Sequence, residues 1–165
     1  SRGLIGFRTD FLTLTRGTGI ANAVFDGYRP WAGEIRARHT GSLVSDRTGS
    51  ITPFAMIQLA DRGQFLVEPG EDTYEGQVVG INPRAEDLDV NVTREKKLTN
   101  MRSSTADVME TLARPLDLDL EQAMEFCAAD ECVEVTPEIV RVRKVELTAS
   151  LRARAKARAK QQANS

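Results

Sequence analysis

Between Gly41 and Val92 the chain breaks into short β-prone runs separated by turn residues, which leaves room only for a small, strongly curved sheet or partial barrel. Gly41-Ser-Leu-Val-Ser45, the turn Asp46-Arg-Thr-Gly49 and Ile51-Thr-Pro-Phe-Ala-Met-Ile-Gln58 read as a hairpin, with Pro53 marking an edge or bulge. Leu59-Ala-Asp-Arg-Gly63 reads as one helical turn closed by Gly63. Phe65-Leu-Val67 and Gln77-Val-Val-Gly-Ile81 add strands on either side of the turn Glu68-Pro-Gly-Glu71. Glu86-Asp-Leu-Asp-Val-Asn-Val92 alternates: Leu88, Val90 and Val92 take one face, Asp87, Asp89 and Asn91 the other. Two aspartates so spaced can meet a cation, but a solvated strand face is the favoured reading.

The next stretch loses that period. Asn91 to Ser104 carries Arg94, Lys96, Lys97 and Arg102 against one acid, Glu95, and has neither strand nor helix periodicity. It reads as a loop held out from the end of a scaffold strand. Cations interleaved with Thr93, Thr99, Asn100, Ser103 and Ser104 have the chemistry of phosphate contact. The competing reading is a solvated, variable loop.

Around this β region the flanks differ. Phe7, Phe11 and Leu14 stand at helical spacing, Gly17 is a natural left-handed stop, and Ile20 to Asp26 reads as a strand. One helix and one strand cannot bury their apolar side alone, so Phe7, Phe11 and Leu14 are expected to stay exposed. Thr105 to Leu112 reads as a short helix ended by Pro115. Asp119 with Gln122 three residues on forms a capping-box pattern, and Leu120, Ala123, Met124, Cys127 and Ala128 form a core stripe. Cys132–Thr136 and Ile139–Arg143 read as paired strands, with Arg141 and Arg143 on one face and Val140 and Val142 on the other. Leu147 to Lys160 is Ala-rich and helix-prone, yet like charges at Arg152/Lys156, Arg154/Arg158 and Lys156/Lys160 work against it. The expected state is a frayed helix that phosphate can order, set against a merely solubilising tail. Together these readings give an α+β fold: a partial ferredoxin-like unit (helix plus strand), then a small, curved, mainly antiparallel β domain with short helices and a basic C-terminal helix or tail.

The net charge of −2 conceals a partition. Ten acids stand against Arg114 between Asp107 and Glu138, and eight bases against Glu146 between Arg141 and Lys160. Segregated signs point to a face for a polyanion. Apolar content of 41% and charged content of 28% are those of an ordinary soluble protein, and no run approaches the ~20 apolar residues that cross a bilayer. No P-loop, nucleophile elbow or HExxH pair occurs, so no catalytic residue and no metal site is assigned. Cys127 and Cys132 are read as buried reduced thiols of a cytoplasmic protein. His39, beside Arg36 and Arg38, is read as structural and mostly neutral, and Tyr28 and Trp31 as packing rather than base-stacking groups. The first residue, Ser1, in place of an initiator methionine, reads as a processed chain or a piece of something longer.

Several motifs resemble one family in order along the chain. Arg2-Gly-Leu-Ile-Gly-Phe-Arg8 through Gly19 resembles the last helix and strand of the fifth domain of translational GTPases such as elongation factor G, in the wording of the TypA/BipA branch. Asp61-Arg-Gly63, Tyr74-Glu-Gly-Gln-Val-Val-Gly80, Lys96-Lys-Leu-Thr-Asn-Met-Arg102, Leu120 to Phe126 and Val133-Glu-Val-Thr-Pro137 are similar to the same branch. The resemblance implies three parts: the end of domain five over 1–33, the branch's own C-terminal domain over 34–150, and a basic Ala-rich tail over 151–165. It further implies a cytoplasmic factor that binds large-subunit rRNA near the ribosomal A site and the tRNA acceptor arm, in stress adaptation and large-subunit assembly. GTP and magnesium would belong to a catalytic domain outside this chain, which itself would hold no cofactor, take no small-molecule substrate and catalyse nothing. Arg94, Lys96, Lys97 and Arg102 are the expected phosphate contacts, Thr99 and Asn100 the base or ribose contacts, and Arg141, Arg143 and Lys144 a second rank. The rival is a protein-interaction module that docks a basic partner on the acidic segment 107–138.

Overall fold

The computed structural model describes residues 4, 7–30, 33, 38–96 and 112–163. The first helix, α1 (Phe7–Leu14), stops where expected. Gly17 takes φ 78°, a left-handed value that glycine adopts freely, and its N–H donates to the Leu12 carbonyl at 2.7 Å. Phe7 and Phe11, one turn apart, stack at 5.5 Å, while Leu14 remains 83% exposed. Ile20 to Asp26, expected as a strand, lies in no strand, and Ile20, Val24 and Phe25 are exposed. A strand forms only against a partner ladder, and none of the described strands pairs with it.

The main body begins at β1 (Gly41–Ser45), followed by β2 (Gly49–Ser50), α2 (Pro53–Leu59) and a 3₁₀ turn over Ala60–Arg62. Then come β3 (Gln64–Phe65), β4 (Asp72–Thr73), β5 (Val78–Asn82) and β6 (Leu88–Val90). The open four-stranded sheet has the order β3-β5-β1-β6; β5 is antiparallel to both β1 and β3, and β6 runs parallel to β1. β2 pairs instead with β4. The expected hairpin from Gly41 to Gln58 is therefore absent, and its second half is a helix. Thr52 caps α2 by accepting the Ala55 N–H at 3.1 Å, and Pro53, whose fixed φ suits the first helical turn, starts the helix rather than breaking a strand. Ala55 and Met56 then face the core.

That core joins Leu43, Ile51, Met56, Phe65, Val67, Val79, Val90 and Val92, with Leu59 and Leu112 packed against it. Burying a side chain of this kind contributes about 1.5–3 kcal/mol, so the cluster is the main stabilising element. Val90 and Val92 point inward as their alternation predicts, whereas Leu88, at the sheet edge, is 36% exposed. Gly63 permits β3 to approach β5: a Cβ there would fall 1.9 Å from the Ile81 carbonyl oxygen.

A second, smaller layer holds α3 (Leu120–Phe126), β7 (Glu131–Val135) and β8 (Val140–Lys144). The capping box forms as expected: the Gln122 N–H donates to Asp119 at 2.8 Å, and Gln122 Oε1 accepts the Asp119 N–H at 3.0 Å. Ala123 is fully buried beside Val78 and Val142, and Phe126 packs on the same cluster. The predicted stripe is only partly correct, because Leu120 and Met124 are 46% and 49% exposed. A helix of two turns on a two-stranded ribbon has little width to cover, and Ala123 with Phe126 cover it. β7 and β8 pair antiparallel, Val133 opposite Val142 and Val135 opposite Val140. β8 is seated on the main body where the Lys144 N–H donates to the Gly76 carbonyl at 2.8 Å. α4 (Ala149–Ala163) closes the described chain. The fold class is the mixed α+β expected. The helix predicted over Thr105 to Leu112 lies outside the described residues apart from Leu112.

Candidate nucleic-acid interface

β6 carries the charges of interest at both its ends. At its exit, Val92 is buried, its carbonyl accepts the Thr52 N–H at 2.9 Å, and Asn91 Oδ1 accepts both the N–H and the hydroxyl of Thr93 at 3.1 Å. Thr52 also donates its hydroxyl to the Arg94 carbonyl at 2.6 Å. The root of the basic loop is thus clamped by backbone and side-chain bonds. Arg94 itself is exposed, with Nη1 3.4 Å from Gln58 Oε1, and Lys96 is exposed beyond it. Lys97, Thr99, Asn100 and Arg102 lie outside the described residues.

At the entrance of β6 the charges point inward. Lys144 is 1% exposed, and its ammonium lies 2.7 Å from Asp87, 3.0 Å from Glu131 and 3.1 Å from Asp130. Its expected role as a phosphate contact is therefore corrected: an ammonium held by three carboxylates in the interior has no path to a solvent-borne anion. Glu131, also buried, accepts from Ser42 Oγ at 2.5 Å, from the Ala128 N–H at 2.9 Å and from Arg38 at 3.0 Å. The Arg38 guanidinium in turn stacks on Phe126, 3.9 Å from the ring centre. Burial pushes the Asp87 and Glu131 carboxyls up. For Asp87 the Lys144 ammonium, then the Ser42 N–H and Lys156, outweigh it; for Glu131 the Ser42 hydroxyl and the Ala128 N–H, then Lys144 and Arg38, do so, and both carboxyls lie below the usual range. Burial likewise disfavours the Lys144 ammonium, and the bonds and charges of Asp87 and Glu131 raise its pKa overall. Lys144, Arg38 and Lys156 balance Asp87, Asp130 and Glu131 in the ion pairs, so the cluster closes at neutrality.

The same acidic edge fastens α4. Arg152, 8% exposed, pairs with Asp89 and donates to the carbonyls of Glu146 and Leu147; Lys156 reaches Asp87 at 3.2 Å. The aspartates read as a solvated strand face are instead the anchor of a basic helix, and the first turns of that helix are docked rather than frayed. An Asp-x-Asp strand set against Arg152 and Lys156 at helical i,i+4 spacing was the signal for it. Gly76 makes room for the crossing, since a Cβ on it would meet Leu147 at 2.6 Å.

Arg141 and Arg143 lie on the outer face of β8 and are half-buried. Arg141 stands opposite Glu134 in the ladder, and Arg143 Nη1 donates to the Lys144 carbonyl at 3.1 Å. Glu134 accepts from the Tyr74 hydroxyl, and burial first, then this bond, pushes the Tyr74 pKa up. Arg141 also lines, with Glu71, Gln77 and Asp117, a cavity of about 90 Å³. Sites for small organic ligands are typically about 300–1,000 Å³, so this volume suits water. Cys127 and Cys132 are free thiols, half-buried rather than buried as expected, and burial raises the Cys127 pKa, which lowers its thiolate fraction. Among the described residues no group of three or more His, Cys, Asp or Glu is placed to hold a metal, and no helix is long and apolar enough to cross a membrane.

Residues 40–149 match the family model of the TypA/BipA C-terminal domain. A large ribosomal subunit assembly factor BipA from Salmonella typhimurium is 48% identical over 158 residues, covering 94% of this chain and 26% of the relative. Its counterpart from Escherichia coli strain K12 gives the same figures, and that from Synechocystis is 45% identical over 145 residues, covering 88% of this chain and 24% of the relative. The chain thus spans about a quarter of the length of the curated relatives it matches. With most of its length matched by one domain model and by relatives near half identical, this chain belongs to the TypA/BipA family.

Proposed function

We propose that this chain is the ribosome-binding module of a translational GTPase that acts in large-subunit assembly and stress adaptation in the cytoplasm. The observation that carries the reading is the pinned loop root: Thr52, Asn91 and Val92 hold the backbone from which Arg94 and Lys96 stand exposed. A rigid base that presents cations lowers the ordering cost of meeting a phosphate backbone. Arg94, Lys96, Lys97 and Arg102 contact large-subunit rRNA phosphates near the A site, and Thr99 and Asn100 bond to base edges or ribose. Arg141 and Arg143, both half-buried, form a weaker second contact with RNA or the tRNA acceptor arm. GTP hydrolysis, with its magnesium, belongs to a domain outside this chain. The names of the relatives, large ribosomal subunit assembly factors, support the choice of partner.

The rival, an acidic docking face over 107–138, is weakened by the internal use of its charges. Asp119 caps α3, Asp130 and Glu131 hold Lys144, and Glu134 holds Tyr74. The deciding experiment measures binding of the 165-residue chain to isolated large ribosomal subunits across a salt series. Lys96→Ala with Lys97→Ala should weaken binding and flatten its salt dependence, and crosslinks should map to the loop. Binding that ignores this pair and responds instead to Glu121→Gln with Glu125→Gln would favour the acidic face.

A further inference from the structure

α4 extends the cationic surface. Its 15 residues make a rod of about 22 Å, and residues 149–163 contain no acid. Only Arg152 among residues 151–158 is buried, so the helix is fastened at its first turns and its side chains from 153 to 158 are exposed. Arg152 and Lys156 are neutralised by Asp89 and Asp87. Arg154 and Arg158 are not on that side: both are exposed, one turn apart, and a like-charge i,i+4 pair is unfavourable in water. The docked pair thus sets the direction of the helix and leaves the exposed pair to seek an anion.

The anchor also sets where those charges lie. α4 is tied to Asp87 and Asp89 at the entrance of β6, and the basic loop leaves its exit. From Asp89 to Arg94 the chain spans five residues, at most about 17 Å. α4 runs back along β6, from Arg152 at Asp89 to Lys156 at Asp87, so one strand carries two cationic elements, the loop at its exit and α4 toward its entrance.

We propose that the exposed face of α4, through Arg154 and Arg158, is a second phosphate-binding surface that engages the RNA backbone together with the loop. The acid pair Asp87/Asp89 is its positioning device, since it fixes the helix without using the two outward arginines. RNA is the occupant that fits, because the face carries charge rather than an apolar stripe: Leu151, 43% exposed, stands at its foot, and beyond it only alanines, at 153, 155 and 157, lie between the cations. Such a surface contacts phosphates without reading base sequence. The inference rests on the RNA reading of the loop and adds a separate contact to it.

The test titrates the 165-residue chain with a short RNA duplex at several salt concentrations, in parallel with three double variants. Arg154→Gln with Arg158→Gln should weaken binding and reduce the slope of log affinity against log salt by up to about 1.8, roughly 0.9 for each lost phosphate contact. Lys96→Ala with Lys97→Ala should weaken it separately. Arg62→Gln with Arg84→Gln removes the same charge from exposed positions elsewhere and should leave the slope unchanged. Equal losses from the Arg62/Arg84 and Arg154/Arg158 pairs would overturn the proposal, because net charge would then explain both. If the loop pair alone weakens binding, α4 is not a contact and the proposed function stands. If neither pair matters, both fall.

Discussion

The two ends of β6 use the same chemistry for opposite purposes. At the entrance, Lys144 is buried among Asp87, Asp130 and Glu131, each lone charge answered by another. At the exit, Arg94 and Lys96 stand exposed on a root whose backbone is satisfied internally. A cation's role thus follows from the carboxylates its neighbours supply. Lys144 follows Arg141 and Arg143 in sequence, yet of the three it is the one buried among carboxylates between the layers.

Removal of charge should therefore cost stability at one end and binding at the other. Lys144→Met removes the cation shared by Asp87 and Glu131 and leaves them only Lys156 and Arg38, and a broken buried pair costs about 3–5 kcal/mol. Chemical denaturation should show the loss; a variant as stable as the parent would mean the cluster contributes nothing. Acid should act on the same group. Asp87 and Glu131 titrate below their unfolded values, so their stabilisation is complete above the ordinary carboxyl range, about pH 4–4.5, and is lost as pH falls through the folded pKa values. Thermal melts should decline below about pH 4.5, and Glu131→Gln should make that decline shallower.

Arg152→Ala lies between the extremes. It removes charge-assisted bonds from the foot of α4, Asp89 stays partly solvated, and the expected loss is about 1.5 kcal/mol with reduced helical circular dichroism. The smallest stability effect belongs to Lys96→Ala with Lys97→Ala, under about 0.5 kcal/mol. A large loss from that pair would erase the contrast, since the loop would then be structural.

Local signals were legible where neighbours in sequence decide the outcome. Gly17 ends α1, Asp119 and Gln122 cap α3, and the alternation of Val90 and Val92 identifies the inner face of β6. The Thr52-Pro53 pair was equally local but ambiguous, since proline serves both strand edges and helix starts; the cap bond from Ala55 resolves it. Lys144 reads as a phosphate contact in the sequence because the expected strand ends at Arg143; β8 extends to Lys144 and sets it on the face of Val140 and Val142. Ile20 to Asp26 has strand-like composition, but pairing is not a property of one segment.

Legible in the amino-acid order were the family, the segregation of charge, the mixed α+β class and a basic stretch beyond an alternating strand. Only the tertiary structure decided which charges are consumed. Periodicity assigns a side chain to a face, but what lies over that face depends on packing between segments far apart in the chain. Asp87 with Lys144, and Asp89 with Arg152, meet only because β8 crosses at Gly76 and α4 turns back along β6.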